Sequence, residues 1–384
     1  MKSRLGAILF GIGVLCVVLA GGFAFYVAPA VTKLPVELRL CKDAQDTDCL
    51  RPSVVEAANA RFVQVKGDTK PPIAIRTGTL RATTEVMSRA DLTAGLPAKL
   101  RDSAVVWNVY STIKWAETGE MIQKSMTQAA IDRVTGAAAS WAGQSLQDAG
   151  PTTPTTVDFS GQMYKFPFHT EKRSYPYFDA GLRQALPIEF EDTEQVLGLE
   201  TYRFRQVIDE RPIPSPAETM NALLATFAPA ATGGRMTYSN TRTLWVEPVS
   251  GSVVKLEEQR AQTLVPDAGP RTPLLAGTFT FTDDTVKNSV ESARTTRSQL
   301  LLISRNVPIG LAVLGALLLI GGLVLVTGRR SASEAASDDA DAAPDDDQEL
   351  RMSSSSERSS SRAPVTARPA SSRAMGTRNG EQDT

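Results

Sequence analysis

His169 is the only histidine in the 384 residues, so any Ser-His-Asp triad or imidazole metal site must be built around it. It lies in FPFHTEKRSYPYFD, residues 166–179, a stretch with five aromatic rings in a chain that is 6% aromatic. The neighbours of His169 are rings and charges, with no nucleophile paired to a base. No G-x-S-x-G elbow, H-E-x-x-H pair or P-loop occurs, which argues against α/β-hydrolase, zincin and ATPase chemistry. No cofactor is expected. Carboxylates remain: Glu189, Glu191, Asp192 and Glu194 crowd into PIEFEDTE. Paired carboxyls can hydrolyse glycosides, but acids so close on one loop or edge strand more simply make a solvated face, and the chain is read as non-enzymatic.

The rings and the cations beside them form the candidate site. Tyr164, Phe166, Phe168, His169, Lys172, Arg173, Tyr175, Tyr177 and Phe178 are spaced as two aromatic flanks around a charged tip. The steps Phe166-Pro167 and Tyr175-Pro176 hold the flanks extended, and His169 to Ser174 can reverse the chain. Two readings stand. The rings fill the core of a sheet, or they line an apolar cavity for a lipid-like ligand, with Lys172 and Arg173 at its mouth to meet a head group.

Stretches free of charge decide where such a site resides. Residues 5–30 and 307–328 carry none, and each, as a helix, covers the roughly 30 Å hydrocarbon layer at about 1.5 Å per residue. Both are read as transmembrane helices. Ala28-Pro29-Ala30 resembles a signal-peptidase site, but the apolar run before it is longer than a signal sequence needs, which favours an uncleaved anchor. Lys2 and Arg4 precede the first span, and Arg329 and Arg330 follow the second. The positive-inside bias therefore places residues 1–4 and 329–384 in the cytoplasm and residues 31–306 outside it, across an inner (plasma) membrane. Cys41 and Cys49, the only cysteines outside the spans, agree with that placement. A disulfide closing so short a loop restrains the unfolded chain by ~2.5 kcal/mol and persists only in an oxidising compartment.

The expected fold class is α+β and β-rich: a large antiparallel sheet, barrel-like, flanked by two transmembrane helices. TYRFRQV (201–207) and GTFTFT (277–282) alternate with period two. Gly119, Gly136 and Gly251 each follow a Thr or Ser at a hairpin turn, and Arg76-Thr77-Gly78 is a fourth candidate. Residues 216–227 and 285–303 show helical spacing, the second as a stalk into the second span. Residues 147–156 and 211–215 read as loops. After Arg330 the chain is Ser-, Asp- and Arg-rich and cannot repay the entropy of ordering. It reads as a disordered cytoplasmic tail whose serines a kinase could modify. A net charge of −1 leaves no general attraction for nucleic acid.

The string FPFHTEKRSYPYFD, with AIDRVTG (130–136), YRFRQ (202–206) and TLWVEPVSGSVVKLEEQ (243–259), resembles the actinobacterial Porin PorA family, over nearly the whole chain up to Arg330. The resemblance implies location in a cell envelope and, by the family's name, a channel. The layout is also similar, at the level of architecture, to scavenger-receptor class B proteins, whose ectodomain encloses a lipid tunnel. The expectation is a two-pass envelope protein whose β-rich domain binds or conveys an apolar, lipid-like envelope component or glycolipid. The alternatives are a porin-like channel, or a scaffold or receptor that signals through the tail.

Overall fold

The structure, a computed structural model, describes residues 2–41, 46, 49–66, 72–147 and 154–327. The expected tail and part of the Cys41–Cys49 loop lie outside these residues. Helix α1 (Lys2–Gly22) passes through a π-helical turn (Phe23–Val27) into short α2 (Ala28–Val31), so the helix runs straight through Ala28-Pro29-Ala30. The bridge Cys41–Cys49 is formed, and an isolated parallel contact between Leu40 and Leu50 backs it.

Twelve strands follow: β1 (Ser53–Val65), β2 (Ile73–Ser88), β3 (Ala104–Trp115), β4 (Met121–Asp132), β5 (Ser145–Gln147), β6 (Thr155–Thr156), β7 (Tyr175–Asp179), β8 (Gln184–Val196), β9 (Leu199–Ile213), β10 (Gly234–Glu247), β11 (Ser252–Pro266) and β12 (Thr272–Phe281). They form one antiparallel sheet in the order β6-β5-β4-β3-β2-β1-β12-β11-β10-β9-β8-β7. Helix α3 (Ala90–Ala94) precedes β3, and α4 (Ala217–Phe227) packs Leu223 and Leu224 on Leu264 and Leu274. Because β1 and β12 are neighbours, the first and last strands meet in the middle of the sheet. The helices that lead in and out are thereby brought together.

Three sequence expectations are corrected. Thr155 and Thr156, expected in a loop, pair with β5 as β6. Gly78 does not turn the chain: it sits inside β2, opposite Ala60, where a Cβ would come within 2.2 Å of the Trp115 indole nitrogen. Strand pairing with β10 carries β9 through Arg211 and Pro212 to Ile213, so that stretch is strand rather than loop. Gly119, Gly136 and Gly251 do turn, with φ of 73°, 69° and 72°, a region open to glycine at little cost. The sheet is not closed into a barrel. Its two wings are linked through single bridges from Ile131 to Ala138, Ala137 to Gln162 and Gln162 to Tyr177.

After β12 the chain enters α5 (Asp283–Leu301), where the Thr282 hydroxyl accepts from the Thr285 amide and two aspartates occupy the first turn, favourable at a helix N-terminus. Val286, Val290 and Ala293 pack on Val196, Leu199, Trp245 and Val254. A second π-helical turn (Leu302–Asn306) joins α5 to α6 (Val307–Thr327). The α1 and α6 helices lie against each other at paired glycines. A Cβ on Gly13 would meet the Gly315 carbonyl at 2.9 Å, and one on Gly322 the Gly6 carbonyl at 2.8 Å. Only hydrogen allows so close an approach. The other faces of both helices expose Leu, Ile and Val, as in Leu15, Val18, Leu317 and Ile320.

Candidate functional site

The aromatic segment lies where the two wings of the sheet are linked. Only its second flank is strand: Tyr175–Asp179 is β7, whereas residues 164–174 form a loop that runs along the β10–β11 turn from Phe166 to Thr170. Main-chain bonds hold the loop there, Phe166 N to Gly251 O at 2.9 Å, His169 N to Val249 O at 3.1 Å and Thr170 N to Pro248 O at 2.7 Å. His169 adopts φ 57° to make the reversal.

The rings are packed on one another. Phe166, fully buried, has ring centroids of Phe204, Tyr175 and Tyr177 at 4.7, 5.4 and 6.0 Å. Ile188, Leu244 and Val246 complete that cluster. Phe178 packs edge-on against Phe159 at 5.1 Å in a second cluster with Trp107 and Val109, which Tyr164 and Phe168 flank. The phenols are satisfied as well as buried. Tyr177 donates to the Met163 carbonyl at 2.8 Å, and Tyr175 accepts from the Glu171 amide at 2.8 Å. Burial pushes the Tyr177 phenol up to about 12.

The cations stand on the rim. Lys172 is exposed above the Phe190 and Tyr202 rings, and Arg173 pairs with Glu171 at 2.7 Å while covering Tyr175. Two open grooves of about 510 and 560 Å³ occur elsewhere. One is lined by β9–β12 residues such as Val207, Thr241 and Gln259, the other by Arg81, Glu85, Tyr110 and Lys114. Neither is lined by any of the candidate rings. Among the described residues no group of three or more His, Cys, Asp or Glu is placed to hold a metal ion. Two of the acids of PIEFEDTE form ion pairs: Arg203 bridges Glu191 and Glu194, and Trp245 donates its indole N–H to Glu194 at 2.6 Å.

Two charged groupings escaped the sequence reading. On the core face of β9–β11, Arg242 donates to Glu258, to Gln206 at 2.6 Å and to Asp179 at 3.1 Å, and Tyr238 donates to Asp179 at 3.0 Å. Burial disfavours the Glu258 carboxylate, yet Arg242 and Arg260 outweigh it and hold the group below its usual range. The signal was present: Tyr238, Asn240, Arg242, Leu244 and Val246 alternate toward the core, and polar residues at core positions of that period mark a network.

The second grouping is Lys165, Glu247 and Arg297. Lys165 is buried, donates to the Phe166 carbonyl at 3.1 Å and to the Ser250 carbonyl, and lies 3.8 Å from the centre of the Phe168 ring. Glu247, fully buried, accepts from the amides of Val249 (3.0 Å) and Ser250 (2.7 Å) and from Arg297 on α5 (3.0 Å). No local sequence pattern joins these residues, which come from a loop, a strand end and a helix.

A family model described as Porin PorA matches residues 5–324. A Porin PorA of Corynebacterium amycolatum is 28% identical over 137 residues, 29% of this chain and 36% of that protein. A Porin PorA of Corynebacterium resistens is 24% identical over 235 residues, 45% of this chain and 57% of that protein. The matched stretches thus span about a third and somewhat over half of these relatives' own length.

Proposed function

The chain belongs to the Porin PorA family, and from that premise we propose a channel-like role in a cell envelope, with α1 and α6 as the elements that cross the membrane. Family membership, with two helices long and apolar enough to span a bilayer, makes it a membrane protein. The sheet is poorly suited to be the crossing wall. Its non-core face exposes Arg81, Glu85, Lys114, Arg205 and Asp209, and a charge facing hydrocarbon costs ~2–4 kcal/mol near the midplane. A wet sheet outside the bilayer and a helical pair within it fit these surfaces.

The observation that carries the reading, beside the family, is the glycine-to-carbonyl contact of α1 with α6. A pair packed that closely leaves no lumen between its two members. A polar path along the helices therefore needs α1 and α6 from several copies, and we read the assembled form as the conducting one. The proposed orientation keeps both ends in the cytoplasm and the sheet outside an inner membrane, where the Cys41–Cys49 bridge persists. The chain acts without catalysis. The lipid-conveying reading is set behind this one because Phe166, Tyr175, Tyr177 and Phe178 pack against each other.

Full-length protein reconstituted in planar bilayers is expected to give stepwise ion conductance. Gly315→Leu, which drives a side chain into Gly13, should abolish the steps while leaving the sheet's circular dichroism unchanged. Conductance from residues 32–304 alone would move the path to the strands. Absence of conductance from the full chain would refute the channel role.

A further inference from the structure

The groove of about 560 Å³ on β2 and β3 is separate from the helical pair to which conduction is assigned. Side chains alternate along a strand, and Leu80, Val109 and Ile113 belong to core clusters, so the residues between them face out. Three pairs stand opposite one another there: Arg81 with Lys114, Thr83 with Thr112, and Glu85 with Tyr110. All six line the groove, and Ala116 and Gly119 of the β3–β4 turn bound it next to Lys114.

Its charges are left unmatched. Two cations directly across a strand pair disfavour the pairing. Arg81 is relieved by Glu56 on β1, at 2.6 Å, but Lys114 is not. The acids nearest to Lys114 in sequence are engaged elsewhere. Glu117 accepts the Thr79 amide at 2.8 and 3.1 Å, and Glu120 accepts from Gln64 at 2.8 and 2.7 Å and pairs with Lys66 at 3.2 Å. Glu85 is equally open at the other end, and among the described residues neither its side chain nor that of Lys114 has a partner. Along β2, Glu85 lies about 13 Å from Arg81 at ~3.3 Å per residue, with the hydroxyls of Thr83 and Thr112 between them.

An open cation and an open carboxylate at opposite ends of one groove match a ligand that carries both charges. We propose that the groove binds a linear zwitterion about as long as an extended tripeptide, its carboxylate at Arg81 and Lys114 and its ammonium at Glu85 beside Tyr110. Three extended residues span about 10 Å, and the flexible Arg81, Lys114 and Glu85 side chains cover the remainder. The two threonine hydroxyls, each able to donate and to accept, suit the amides of such a chain. Because the charged groups face water, each terminal contact contributes as an exposed pair does, roughly two- to fivefold in affinity.

The test is a saturation-transfer NMR titration of the full chain in detergent, near neutral pH, with three probes. These are triglycine, N-acetyltriglycine, which lacks the ammonium, and triglycinamide, which lacks the carboxylate. Triglycine should bind tightest, and each blocked probe roughly two- to fivefold more weakly. Glu85→Gln should erase the advantage of triglycine over the acetylated probe and keep its advantage over the amide. Lys114→Gln should reduce the advantage over the amide and keep that over the acetylated probe. Both positions face solvent, where substitution leaves the fold intact, and Lys287→Gln on α5, outside the groove, should change neither ratio. The proposal is overturned if triglycine does not bind, if either blocked probe binds as tightly, or if the advantages survive Glu85→Gln and Lys114→Gln.

Discussion

Replacing Arg242 by Met tests the charged layer in the sheet's core. Arg242 is the shared partner of Asp179 and Glu258, whose side chains are 0% and 11% accessible. Methionine fills a similar volume but leaves both carboxylates without their main cation. Breaking a buried pair from one side costs about 3–5 kcal/mol. Some compensation persists, because Asp179 still accepts from Tyr238 at 3.0 Å and from the Leu182 amide at 3.0 Å, and Arg260 stays 3.9 Å from Glu258. A loss of about 3 kcal/mol follows, or roughly 6 °C or more in Tm for a domain of this size. The pH dependence carries the sign. In the wild type the Glu258 carboxyl lies below its usual range, so its contribution is present above the unfolded value and lost as pH falls through the folded one. In the variant the buried Glu258 carboxylate has lost its main cation and takes up a proton more readily than in the unfolded chain, so the deficit should shrink as pH falls from about 7 toward about 5. Urea unfolding followed by tryptophan fluorescence, on full-length protein in detergent, reads both quantities. A loss below about 1 kcal/mol, or one that does not change with pH, would refute the reasoning.

Three further substitutions address the loop and the bridge. Gly251→Ala meets both a φ of 72° and a Cβ position 2.2 Å from the Phe166 carbonyl oxygen. It should cost about 2 kcal/mol or more and raise proteolysis of residues 164–174, whereas the same change at Gly119, where nothing lies near the added Cβ, should cost about 1 kcal/mol of backbone strain and leave that loop protected. Cys49→Ser should lower stability by at most ~2.5 kcal/mol, and dithiothreitol should shift the melting of wild type toward that of the variant without shifting the variant itself.

Much of this architecture was legible because it depends on local chemistry. Charge-free runs announced α1 and α6, glycines after hydroxyls marked three of the turns, and Pro216 with the acid behind it announced α4. Where non-local pairing decided the outcome, local reading failed. Arg211 and Pro212 carry loop-like residues, yet opposite Tyr238 and Thr237 they extend β9. Gly78 looks like a turn until Trp115 is placed over it. The aromatic segment was recognised as a unit, but whether rings meet a void or each other depends on Phe204, Ile188 and Leu244, from strands well removed in sequence. Gly6, Gly13, Gly315 and Gly322 were visible as residues. That they interlock follows only from β1 lying beside β12.

The sheet's free margins constrain how molecules can gather. One ends in the two residues of β6, and the other in the five of β7, where Pro176 withholds a donor and the Gln162 bridge shields part of the remainder. Such margins are poor templates for a neighbouring polypeptide to extend. Fibre-like growth from the folded state is thereby discouraged, and encounters between molecules are steered toward the exposed apolar flanks of the paired helices.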